Sequence, residues 1–248
     1  MELTIQNLKK VYGDKVALDI PALDIRSGEL IGLVGNNGAG KTTLLRLILD
    51  LIKADNGRVL SGGIDVTGAT DERSADFTSA ENIAWKRYTG SFIDGRFLID
   101  FYTPEEYFHF IGRLYGLSAE IVDERLQVFV PLMHDEVLGT NKYLRDFSEG
   151  NRQKIGIIGA MMIRPKVLLL DEPFNYLDPS SQIVVARLIA QLNAEQGTTV
   201  IISSHNLSFV SDISTRILLL EKGHVIKDLP NVQGSAIAEL NDYFNAEA

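Results

Sequence analysis

The sequence predicts an α/β fold built on a largely parallel sheet, and three observations carry that expectation. Short, almost continuously apolar runs at residues 29–34 and 167–171 have the length of strands buried on both faces, and residues 198–203 read as a further strand. Stretches with apolar residues at helical spacing alternate with these runs, as in strand–helix–strand units. Turn signals such as Asp55-Asn-Gly57 and Ser61-Gly-Gly63 punctuate the changes of period.

In chain order, residues 2–8 alternate and predict a strand, residues 16–25 are β-rich around Pro21, and the run 29–34 leads into Gly35. From Lys41 to about Leu51 the spacing of Leu44, Leu45, Leu47, Ile48 and Leu51 predicts a helix. A strand is expected between the turns at 55–57 and 61–63, then a polar loop over 65–80. Thr103, Pro104 and Glu106 form a strong helix start: cap, proline at the first helical position, and a glutamate placed to bond back to the cap. Gly116 is its stop. Ser118 is expected to cap a helix reaching about Val130, and a third helix is expected from Glu149 to about Ile163, ended by Arg164-Pro165. Beyond the strand 167–171 lie a helix from Pro179 to about Gln196, the strand 198–203, and a hairpin turned at Lys222-Gly223. No internal repeat or sustained heptad interrupts this order. The chain is therefore read as a single domain: residues 1–94 and 164–248 form the β-rich part, and residues 95–163 form a mostly helical block set into it.

Composition excludes several classes of function. The 248 residues carry 24 Lys+Arg against 33 Asp+Glu, a net charge of -9, which argues against a nucleic-acid partner. There is no cysteine, so disulfides, thiolate metal sites and a cysteine nucleophile are excluded, and a cytoplasmic setting is expected. No apolar run approaches the ~20 residues of a membrane-spanning helix, and residues 1–10 do not read as a secretory signal.

The chemistry concentrates in two places. Gly35, Asn36, Asn37, Gly38, Ala39, Gly40, Lys41, Thr42 and Thr43 contain the pattern G-x-x-x-x-G-K-[ST] between a predicted strand and a predicted helix. Its glycines let backbone N–H groups converge on phosphate oxygens. The helix start adds its positive end, worth ~0.3–2 kcal/mol toward an anion. Lys41 supplies charge to the outer phosphates and the Thr42 hydroxyl a magnesium ligand. Asp171 and Glu172 emerge at the carboxyl end of a buried strand, where ligands bind in open α/β sheets. There one acid can hold hydrated magnesium and the other can polarise the attacking water.

With these motifs the chain resembles the nucleotide-binding subunit of ATP-binding cassette (ABC) transporters along nearly its whole length. Residues 147–154, FSEGNRQK, resemble the family signature LSGGQ and the basic and polar residues that trail it. Asp171-Glu172-Pro173 with Leu177-Asp178-Pro179 resembles the second phosphate motif and the D-loop. Ser203-Ser-His205 resembles the switch histidine, and Tyr12 falls where the family stacks an aromatic ring on adenine. The resemblance implies a P-loop NTPase (RecA-like) core with a mostly parallel sheet, an N-terminal antiparallel β subdomain and an inserted α-helical subdomain. It implies ATP and Mg2+, with Glu172, His205 and Lys41 catalytic, and with Ser148, Gly150 and Asp178 serving a nucleotide. In the family the signature covers the terminal phosphate held by a second subunit, so a homodimer or a paired ABC ATPase subunit sandwiches two ATP molecules head-to-tail.

Three departures accompany the likeness. Glu149 and Asn151 replace a glycine and a glutamine of the signature, while Ser148 and Gly150 are kept. No glutamine occurs between Thr43 and Leu126, and the Q-loop position falls on Asp94, a third metal-ligand candidate with Thr42 and Asp171. An ionised carboxylate there can ligate magnesium but cannot donate a hydrogen bond, which predicts slower or differently coupled hydrolysis. The D-loop carries Asn175-Tyr176 where small residues are common. Residues 103–117, TPEEYFHFIGRLYGL, together with the signature, are similar to ATPases of the ABC-2 exporter type. The expected function is an ATPase engine, peripheral on the cytoplasmic face of a membrane, docked on membrane-spanning transporter subunits through residues 95–150. The alternatives are a non-transport ABC ATPase of the iron–sulfur assembly type and an ATP-dependent clamp with weak hydrolysis.

Overall fold

The computed structural model describes residues 1–67, 83–134, 136–205 and 207–246. Two sheets organise them. The first is antiparallel, in the order β2 (Lys15–Ile25), β1 (Leu3–Tyr12), β4 (Asn56–Ser61), β5 (Ile64–Asp65). The second has the order β10 (His224–Pro230), β9 (Arg216–Glu221), β3 (Leu30–Val34), β8 (Thr199–Ser204), β7 (Val167–Asp171), β6 (Thr89–Phe92), and every neighbouring pair is parallel except β9 and β10.

The apolar runs sit centrally because helices and the first sheet cover both of their faces. Along β7, Leu168 and Leu170 enter the core shared with the helical block, while Val167 and Leu169 enter the core beneath the antiparallel sheet. Strand geometry requires this alternation, and both sets are fully buried. Helix α1 (Lys41–Ile48) lies in the second of these cores through Leu44, Leu45, Leu47 and Ile48.

The inserted block contains α2 (Pro104–Leu114), α3 (Ala119–Leu126), α4 (Val130–Met133) and α5 (Glu149–Met162). Thr103 and Glu106 form the anticipated reciprocal cap on α2. Helices α6 (Pro179–Gln196), α7 (Leu207–Ile213) and α8 (Ile237–Ala246) complete the chain.

Several boundaries differ from the sequence expectation for local reasons. The helix expected to reach Val130 stops at Leu126, passes through a 3-10 turn and resumes as α4, because Pro131 has no N–H with which to continue the ladder. Helix α1 stops at Ile48: Asp50 turns left-handed at φ 53°, and the Leu51 amide folds back onto the Arg46 carbonyl. Strand β1 continues past residue 8 to Tyr12, paired with β2 through a bulge. Of the loop expected over 65–80, Asp65 instead ends β5, and 68–80 lie outside the described residues. Helices α7 and α8 have no counterpart in the sequence expectation. Their apolar residues form a small third core with Val34 and Leu219, contributed largely through Val210 and Leu240.

Candidate functional site

Sheet order places the motifs side by side. Strand β8 lies between β3 and β7, with Val34 level with Ser204 and Asp171 level with Ser203. The phosphate loop, the Ser203–His205 segment and the two acids therefore leave neighbouring strands at the same sheet edge.

The loop from Gly35 to Gly40 is packed too closely for side chains at its two ends. A Cβ at Gly35 would lie 2.2 Å from the Leu220 carbonyl, and one at Gly40 would lie 2.8 Å from that of Ala17. Gly40 sits at φ 111° as the start of α1 and offers no capping side chain, so the first-turn amides remain turned toward the loop. Lys41 is buried, and its Nζ donates to the carbonyls of Gly35 (2.6 Å) and Asn36 (3.3 Å). It also lies 3.8 Å from Glu172 Oε1. Lysine and glutamate thus face each other across the loop's mouth.

Asp171 is anchored from both sides. Thr42 Oγ1 donates to its Oδ2 at 2.6 Å, and the Ser203 hydroxyl donates to its Oδ1. Ser203 Oγ also accepts the Glu172 amide (2.9 Å), so one serine orients both acids. Glu172 holds a left-handed backbone, φ 47°, and its Oε2 lies 2.8 Å from His205 Nδ1. A cleft of about 340 Å³ opens in front of these groups. It is lined by Tyr12, Lys15 and Ala17 on the antiparallel side, by residues 37–43 of the loop, and by Glu172. Tyr12 is 52% exposed there, available to a flat ring.

The remaining predicted residues lie elsewhere. Ser148 caps α5, accepting from the Asn151 amide at 3.3 Å, and neither it nor Gly150 lines the cleft. A Cβ on Gly150 would lie 2.7 Å from the Tyr176 carbonyl, which accounts for a glycine at that position of the signature, whereas Glu149 is exposed at the helix start. Asp178 caps α6. Hydrogen bonds from the Ser180 and Ser181 hydroxyls and the Ser181 amide hold its carboxyl well below the usual carboxylate range. Asp94 caps the turn Gly95–Phe97, and its carboxylate takes both side-chain and backbone hydrogen bonds from Arg96, which hold its pKa down. Its hydrogen bonds are with Arg96, not with Thr42 or Asp171. Two residues escape a reading of the sequence. Ser203 stands there only as a neighbour of His205, and Gln153, whose Nε2 donates to the Glu172 carbonyl at 3.1 Å, only as signature context. Neither residue type announces a role without the register that places it.

The donor set fits magnesium. It is a hydroxyl and a carboxylate oxygen 2.6 Å apart, both hard ligands, and among the described residues no group of three His, Asp or Glu gathers to hold a metal alone. An ion that keeps waters and shares its remaining positions with phosphate oxygens needs no larger cage.

The fold and this site define a P-loop nucleoside-triphosphate-binding protein. Residues 18–175 match the ABC transporter family. The chain is 32% identical to the aliphatic sulfonates import ATP-binding protein SsuB of Yersinia pestis, over 94% of this chain and 80% of that protein. It is also 32% identical to the uncharacterized ABC transporter ATP-binding protein YdbJ of Bacillus subtilis, over 94% of this chain and 70% of the relative. The dimeric structure of MJ0796, a bacterial ABC transporter cassette, superposes with a TM-score of 0.79 at 25% identity, covering 93% of this chain and 99% of that one. The chain belongs to the ABC transporter family, as its ATP-binding and ATP-hydrolysing subunit. No helix among the described residues is long and apolar enough to cross a membrane. These comparisons give no support to the ABC-2 exporter likeness drawn from residues 103–117 and the signature.

Proposed function

We propose that this chain binds ATP with magnesium between Tyr12 and the phosphate loop, hydrolyses it with Glu172 as general base, and drives transport as a head-to-tail dimer docked on membrane-spanning partners. The observation that carries the reading is the Thr42–Asp171 contact beside the Glu172–His205 pair, with Lys41 across the loop. Loop amides, Lys41 and α1 bind the triphosphate. Thr42 and Asp171 would hold magnesium, which when bound neutralises phosphate charge. Glu172 accepts the proton of the attacking water, and His205 orients Glu172 and the terminal phosphate.

Ser148 and Gly150, which lie off their own cleft, are assigned to the partner's nucleotide, and Asp178, on the loop between Glu172 and α6, to the same seam. The membrane partner is assigned to residues 95–150, where Phe97 (62% exposed) lines a cavity with Leu98 and Tyr107 and Phe101 (66% exposed) adds apolar surface. Import is favoured by the name of the sulfonate-import relative, while the exporter reading drawn from residues 103–117 and the signature has no support among the relatives. A cytoplasmic, membrane-peripheral location follows from that docking. Asp94 remains proposed as a third metal contact that would have to exchange Arg96 for the ion.

The test is Glu172→Gln. Turnover should fall by ~10²–10⁴ with ATP affinity retained, because the amide keeps the shape and loses the base. A parallel loss of ATP binding would instead assign Glu172 to the structure of the loop.

A further inference from the structure

Helix α5 begins at the signature serine, and its next turn carries two side chains without a place in the chemistry above. Arg152, whose side chain is only 12% exposed, distributes its guanidinium over three acceptors. Nη2 donates to the Gly95 carbonyl at 2.9 Å, and Nη1 donates to the Leu144 carbonyl at 2.8 Å and to Asp100 Oδ1 at 2.9 Å. Two of these acceptors, Gly95 and Asp100, bracket the segment that presents Phe97. A planar fork with separated nitrogens suits acceptors that diverge in this way better than the single nitrogen of an ammonium.

Gln153 follows in sequence and, about 100° further round the helix, faces the nucleotide side. It is buried, and its Nε2 donates to the Glu172 carbonyl. Glu172 is held in a left-handed conformation that a glutamate does not favour by itself. Its amide is held by Ser203, and its carbonyl accepts both the Asn175 amide (3.1 Å) within its own turn and Gln153 Nε2 from α5, so Gln153 supplies the one side-chain tie from α5 to this peptide. Helix α5 itself has no room to slip. A Cβ on Gly156 would lie 2.0 Å from the Phe92 ring, and one on Gly159 would lie 2.9 Å from the Tyr107 ring, so the helix backbone sits directly on β6 and α2.

We propose that Arg152 and Gln153 are positioning residues that join the 94–100 segment to Glu172 across the first turns of α5. A displacement of the exposed Phe97–Phe101 surface then reaches the base through one rigid element. This rests on the reading of Glu172 as the base and of residues 95–150 as the docking face. A physical coupling of this kind is established by energetic cross-talk between the two ends, not by their connection in space.

The test is a set of substitutions in the full chain, read as ATP turnover, ATP affinity and thermal midpoint. Gln153→Met removes the donor at nearly constant volume. It should lower kcat about tenfold, the worth of one misplaced catalytic hydrogen bond, with ATP affinity and midpoint unchanged. In a Glu172→Gln background the same substitution should cost nothing further, since the group it positions is gone. Arg152→Met should lower kcat in the same direction, and the Arg152→Met/Gln153→Met pair should be no slower than Gln153→Met alone. Asp100→Asn, at an exposed carboxylate, provides a milder cut of the same end that leaves the core intact. A wild-type kcat in Gln153→Met beside an inactive Glu172→Gln overturns the proposal alone. So does a loss that adds in full on the Glu172→Gln background. A wild-type rate in Glu172→Gln overturns the base assignment and the proposal with it.

Discussion

Ser203 shows how little the residue type declares of its part in the site. Its hydroxyl donates to Asp171 and accepts from the Glu172 amide, and so sets the angle between a metal-ligand candidate and a base candidate. The phosphate loop is legible in the sequence because glycine, lysine and threonine at fixed spacing have few other uses. Ser203 and Gln153 are not, because their partners come from other strands and helices through sheet register. At Tyr12 the geometry is an open ring at the cleft wall, and Tyr12→Ala should weaken ATP binding by the ~1–3 kcal/mol of a base–aromatic stack. Isothermal titration checks this, and an unchanged affinity would leave the tyrosine as surface. Asp94→Gln should change both turnover and the magnesium dependence of hydrolysis. If only stability moves, Asp94 is the cap of its turn and nothing more.

At the scale of elements, caps are the most legible features, since each needs only a few consecutive residues. Thr103 and Ser118 cap the helices whose starts they mark in the sequence, and Ser148 and Asp178 cap α5 and α6 in the same way. Helix ends are less legible, because Asp50 and Pro131 act through backbone geometry. Thr103→Ala should cost about 1 kcal/mol in denaturant unfolding, the usual worth of an N-cap side chain. Asp178 predicts a pH dependence. Its carboxyl is held below the ordinary 3.8, so its contribution to stability is complete above that value and is lost as pH falls through the lowered folded value. Asp178→Asn should flatten that acid limb of the unfolding curve. Gly150→Ala would drive a methyl into the Tyr176 carbonyl, so that either the start of α5 or the D-loop must move. It should impair pairing of subunits while each retains its own ATP affinity, as nucleotide titration of the monomer would reveal.

For the molecule as a whole, alternation of period is enough to predict the parallel sheet and the inserted helices, because doubly buried strands leave no polar face. The two C-terminal helices α7 and α8 escape it, since they are short and close only a small core over Val34. The distribution of the site is a property of this scale too. The chain carries its phosphate loop and the base candidate Glu172 on one sheet edge, while Ser148 and Gly150 stand at the head of α5, outside the cleft. On the proposed reading, a single copy would hold both halves of a phosphate enclosure without closing either. Sedimentation of the Glu172→Gln chain with saturating ATP and magnesium is the decisive measurement. A nucleotide shared between two copies requires a shift from monomer to dimer that reverses when ATP is withdrawn and fails when Ser148 is replaced by arginine. A monomer at saturation, or a dimer indifferent to both nucleotide and Ser148, would contradict it.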